Sequence, residues 1–153
     1  MLKESLLFYD KINVDKTLIE KVLNFNYYNV ETLTDLELSK YSIILSQYLI
    51  YFKWQLNKTK VDHLQLKNKL ESTLFHLVTP AVVKQYKTKT DARSYLINST
   101  SELISINEEI ETFEYELMLA DGLDKPIQEM INVFKREQSR RENELSSARF
   151  ERR

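Results

Sequence analysis

From Leu38 onward, apolar residues return every three or four positions: Leu38, Tyr41, Leu45, Tyr48, Phe52 and Leu56. The same spacing continues through Thr59 and His63 to Leu66, Leu70, Leu74 and Leu77. The mean step is near 3.5 residues, the period of a helix that packs along one seam against another helix. Thr34 followed by Glu37 is a capping box at its start. Pro80 ends it, because proline disfavours helix at the residue before it. A helix of roughly 45 residues is about 65–70 Å long at 1.5 Å per residue.

A second seam runs Leu103, Ile106, Ile110, Phe113, Leu117, Ala120, Asp124, Ile127, Ile131, Phe134. Ser99 with Glu102 is a capping box ahead of it. "ADGLDKP" interrupts it: Gly122 suits a helix end, Leu123 its hydrophobic partner, Asp124 a new N-cap, and Pro126 a first turn. The phase persists across the interruption, which favours a kink over a reversal.

Upstream, "VDKTLIEKVLNF" places Leu18, Ile19, Val22 and Leu23 on one side, with Asp15 as N-cap, and "NFNYYN" breaks the pattern. The expected fold is all-α: two long amphipathic helices in a coiled-coil-like hairpin, with short N-terminal helices over residues 1–33. The hairpin occupies 34–149, with a basic connector over 80–100 in which Thr90 caps a short helix. Residues 150–153 form a frayed tail. Narrow seams with few core layers seek partner chains, so a homo-oligomer is expected.

Composition agrees. The chain's 153 residues suit one domain, and a single Gly and two Pro leave few reversals. The absence of Cys excludes disulfides, zinc fingers and thiol catalysis. One glycine argues against phosphate-binding loops. His63 and His76 lack further ligands at helical spacing, so neither a metal nor a cofactor is expected. Glu108, Glu109, Glu111, Glu114 and Glu116 spread around the helix without a Glu-x-x-His, which reads as a solvated acidic face. No nucleophile–base constellation is present, and the expectation is not an enzyme. The N-terminus lacks a signal peptide's apolar stretch, and the longest apolar run, "YSIILSQYLIYF", is too short to span a bilayer. A cytoplasmic protein without membrane contact is expected.

The net charge of −1 hides strong blocks. Residues 41–101 carry nine basic residues against three acids, and residues 102–129 carry one lysine against nine acids. Such alternation suits assembly, or a basic band on an otherwise neutral particle. Trp54 points away from the seam with Lys58 on the same outer stripe, and Lys53, Lys60 and Lys67 lie on flanking stripes. The connector adds Lys84, Tyr86, Lys87, Lys89 and Arg93, with Tyr95 nearby. Cations that track phosphates and aromatics that stack on bases are what single-stranded nucleic acid requires.

"YFKWQLNK", the late helix "FEYELMLADGL" and the basic connector "KQYKTKTDARSYL" are similar to the corresponding parts of the tailed-phage recombination mediators, the UvsY-like proteins. The likeness covers residues 35–131, in organisation more than identity. It implies single-stranded-DNA binding, ring-like oligomers, DNA recombination and repair, and help in loading a RecA-type recombinase by displacing single-strand-binding protein. It implies the host cytoplasm for a phage-encoded chain. Only Lys53, Trp54 and Lys58 carry over by position. The family's helical basic cluster falls here on "STLFHLV", which has no Lys or Arg. Met130 stands where an Arg is expected, and the tail after Ile131 has no counterpart. The alternative is a non-enzymatic virion, scaffold or adaptor coiled-coil protein whose charges serve assembly.

Overall fold

The computed structural model describes residues 15–150. The short helix expected within the first fourteen residues, and most of the frayed tail, lie outside them. Among the described residues the fold is all-α, with no strand: α1 (Lys16–Leu23), a 3₁₀ segment (Tyr27–Thr32), α2 (Asp35–Leu77), α3 (Pro80–Val83), α4 (Lys89–Ser99), α5 (Ser101–Ala120) and α6 (Asp124–Phe150). The second long seam is therefore carried by two helices.

Side-chain oxygens set most of the boundaries. Asp15 accepts from the Leu18 N–H at the start of α1. Thr34 and Glu37 form the reciprocal capping box: the Thr34 N–H donates to Glu37 Oε2 at 2.9 Å, and the Glu37 N–H donates to Thr34 Oγ1 at 3.2 Å. The first of these bonds holds the Glu37 carboxyl below its ordinary pKa. Thr79 caps α3, with Pro80 in the first helical position.

Three expected boundaries move. The cap of α4 is Thr88, whose Oγ1 accepts from the Asp91 N–H, so the helix starts ahead of Thr90. Ser99 is the last residue of α4, and the Ile104 N–H reaches back to the Thr100 carbonyl; the Ser99–Glu102 box does not form. Asp124 is itself the first helical residue of α6. At the break, Gly122 has φ +73°, a left-handed conformation that L side chains rarely adopt.

The chain forms two compact units, one from residues up to Gln55 with those from Ala120 on, the other from Leu56 to Leu119. In the first, Leu38, Tyr41, Leu45 and Tyr48 of α2 pack with Ile127, Met130, Ile131 and Phe134 of α6 and with Ile19, Val22 and Leu23 of α1. Met130 is a core residue. Phe25, Tyr41 and Phe134 meet ring to ring at 5.8–6.0 Å. Fully burying a side chain such as Phe134 or Ile131 contributes about 1.5–3 kcal/mol. α6 runs antiparallel to its part of α2, with Lys53 opposite Asp124 and Asp35 opposite Arg141.

Buried Glu137 closes this unit. Its carboxylate takes a two-pronged bond from Arg140 at 2.8 Å and another from Arg141 at 2.7 Å. Arg141 continues to Asp35 and to the Glu31 carbonyl, tying α6 to the start of α2.

In the second unit Leu70 and Leu74 of α2 pack with Leu103, Ile106 and Ile110 of α5, and Leu66, Val78, Leu96 and Ile97 pack against them. α5 is antiparallel to its part of α2, with Lys69 facing Glu102 and Lys67 facing Glu114. The α2 seam ends a turn early: Leu77 is exposed.

The Arg140 guanidinium, followed by Arg141, draws the Glu137 carboxyl from 4.5 down to about 2. A depressed carboxyl stabilises the fold above its unfolded pKa, and that contribution disappears as pH falls through the folded value. Denaturant titrations monitored by circular dichroism are expected to lose stability between about pH 4.5 and pH 2, with Glu137→Gln reducing that loss. At neutral pH the same variant costs about 2 kcal/mol, the scale of charged hydrogen bonds. Gly122→Ala meets no steric neighbour, so its cost of about 1 kcal/mol is backbone strain alone and is measurable in the same titration.

Candidate nucleic-acid interface

The expected band divides between the units. Lys53 and Trp54 belong to the first; Lys58, Lys60, Lys67, Lys84, Lys87, Lys89 and Arg93 belong to the second.

In the first unit Lys53 Nζ lies 3.4 Å from Asp124 Oδ2. Trp54 is 58% exposed, as the seam's phase requires. In the second, Lys67 Nζ lies 2.7 Å from Glu114 Oε1, and His63 Nε2 reaches the same oxygen at 3.3 Å. Lys67, then His63, holds the Glu114 carboxyl below its ordinary pKa. Arg93 pairs with Glu71. Lys53, Lys67 and Arg93 of the expected band are therefore ion-paired inside the chain. The acidic face expected to be solvated supplies Glu114, and Asp124, expected as an N-cap, pairs with Lys53.

The remaining connector residues hold a tyrosine contact. Tyr86 follows α3 and Tyr95 projects from α4; their rings lie 5.1 Å apart at 38°. Tyr95 is 55% exposed, while burial, then the neighbouring Tyr95, pushes the Tyr86 hydroxyl pKa up. Lys84 caps the end of α3 and Lys89 opens α4, with Lys87 between them. All three are exposed, and none forms an ion pair among the described residues. A groove of about 680 Å³ lies alongside, with Lys89 and Arg93 on its wall.

Sequence had put Tyr86 and Tyr95 in the connector but not in contact. The nine-residue separation hides the pair, because it crosses a turn whose cap is Thr88.

Among the described residues no three His, Asp or Glu side chains stand close enough to hold a metal ion. No helix there is long and apolar enough to cross a membrane. Comparison with protein-family models, curated proteins and solved structures found no match to the chain.

The lysine pairs join half-exposed groups in high-dielectric surroundings, where such bridges contribute little. Lys53→Ala and Lys67→Ala are each expected to lower unfolding free energy by less than about 1 kcal/mol in chemical denaturation.

Proposed function

We propose that the chain is a non-enzymatic recombination mediator that binds single-stranded DNA and helps a RecA-type recombinase displace single-strand-binding protein. The observation that carries this reading is the connector: a contacting tyrosine pair in the same segment as three exposed lysines that form no ion pair among the described residues. Aromatic faces accept stacked bases of any sequence, and the lysines follow the phosphates. The resemblance of "YFKWQLNK" and the connector to the recombination mediators supports the same reading. Lys60 and Lys58 of α2 extend the cationic surface of the second unit. Lys53, Lys67 and Arg93 contribute less, because a phosphate must compete with Asp124, Glu114 and Glu71.

Those same intrachain pairs favour a second reading, a phage virion, scaffold or adaptor protein whose charges organise assembly. The two separate in one experiment. Binding of labelled oligothymidine by fluorescence anisotropy is expected to weaken as salt rises. The Lys84, Lys87 and Lys89 triple alanine variant should reduce the slope of log K against log salt by about 2, near 0.7 per lost phosphate contact. Tyr95→Ala should cost about 1–3 kcal/mol of binding. Absence of binding at low salt sinks the mediator reading and leaves the assembly one. The mediator step itself is read as faster recombinase ATPase activity on DNA covered by single-strand-binding protein.

A further inference from the structure

The outer face of α6 carries a polar stripe that the tyrosine cluster does not use. Asn132, Lys135, Arg136, Ser139, Arg140 and Asn143 line one shallow recess of about 650 Å³, with no carboxylate on its wall. At 100° per residue Asn132, Arg136, Ser139 and Asn143 share one stripe, roughly opposite Phe134, and Lys135 and Arg140 lie along its two edges. At 1.5 Å per residue the stripe is about 17 Å long. Neighbouring acids mark its limits. Glu129 lies on the same side one turn before Asn132, Glu142 lies just beyond the Lys135 edge, and Glu144 lies beyond the Arg140 edge.

The inner side of the helix fixes the direction of this face. Ile127, Ile131 and Phe134 pack in the core of the first unit. Buried Glu137 holds Arg141, which reaches Asp35 and the Glu31 carbonyl. A helix pinned along its inner side cannot roll, so the stripe stays turned outward. Its cations differ in availability. Arg140 is committed to Glu137 and Glu144. Lys135 and Arg136 are exposed and form no ion pair among the described residues.

Cations alternating with amides and a hydroxyl on one helix face suit the major groove of a double helix, which admits an α-helix. There arginine and lysine pair with guanine, asparagine with adenine, and serine with either. No aromatic residue lines the recess, so it lacks the stacking platform that a single strand uses. An acidic peptide would engage the cations and leave Asn132, Ser139 and Asn143 without a role.

We infer that the outer stripe of α6 is a second nucleic-acid site, and that its ligand is double-helical DNA. Lys135 and Arg136 neutralise phosphates, and Asn132, Ser139 and Asn143 face the base edges. The inference does not rest on the proposed single-strand site, because α6 belongs to the first unit and the connector to the second. The likeness to the mediators ends at Ile131, ahead of the stripe.

Fluorescence anisotropy on the full chain tests it with a labelled DNA hairpin of twenty or so base pairs and, separately, labelled oligothymidine. Lys135→Ala/Arg136→Ala is expected to weaken hairpin binding and to reduce its slope of log K against log salt by about 2, near 0.9 per lost phosphate contact on a duplex. The same variant should bind oligothymidine like wild type. Arg140 is left in place because it holds Glu137, and circular dichroism confirms that the variant remains helical. No hairpin binding at low salt overturns the inference, as does hairpin binding that the variant leaves unchanged. A variant that loses both ligands equally overturns the assignment to duplex. Polyglutamate that displaces the hairpin as readily as unlabelled duplex points to an acidic protein partner and also overturns it. Hairpin binding lost in this variant, with no oligothymidine binding by wild type, upholds this site and sinks the single-strand reading alone.

Discussion

Everything in this fold depends on the 3.5-residue seam of α2. A helix that must hold one stripe toward its partners has the direction of every other side chain decided as well. The stripe is apolar at both ends and polar in its middle. Tyr48, Leu49 and Phe52 give way to Gln55, Thr59 and His63 before Leu66 and Leu70 restore it. Each apolar end gathers its own core, with α1 and α6 around one and α4 and α5 around the other. The polar middle supplies little hydrophobic driving force.

Charge follows from the same phase. Lys53, Lys60 and Lys67 recur at intervals of seven beside the seam, where a returning helix can reach them. Asp124 meets the first and Glu114 the third. The alternating charge blocks thus describe helices that lie against one another within a unit. Individually these bridges contribute little, but wrong registers would set like charges together. The strong exception is Glu137, buried and held by two arginines, where removal of one partner leaves charge uncompensated.

The seams, the Thr34–Glu37 box, the Asp15 cap and the end of α2 before Pro80 were legible because each depends on residues within a few positions of one another. The start of α4 was misjudged because Thr88 and Thr90 have the same capping chemistry, and local sequence does not choose between them. Glu137 was invisible for another reason. Its arginine partners lie within one turn, but Arg141 is held by Asp35 and the Glu31 carbonyl more than a hundred residues earlier, a contact that only the folded chain makes. The cationic band was legible as composition. Its depletion by ion pairs was not, since that depends on which acids fold against which lysines. The Tyr86–Tyr95 contact belongs to the same class, being made by a turn whose geometry no periodicity encodes.

Among the described residues Gly122 is the one position with positive φ. The starts of α1, the 3₁₀ segment, α2, α3 and α4 are capped by interchangeable oxygens from Asp, Asn or Thr. Descendants of such a chain are therefore held to a spacing rule and a single glycine, and to little else by identity. Substitution can replace leucine with isoleucine along the seams and one cap with another until aligned residues no longer agree. What survives divergence in a protein of this kind is rhythm, so its ancestry is better traced by the phase of its apolar positions than by the letters that occupy them.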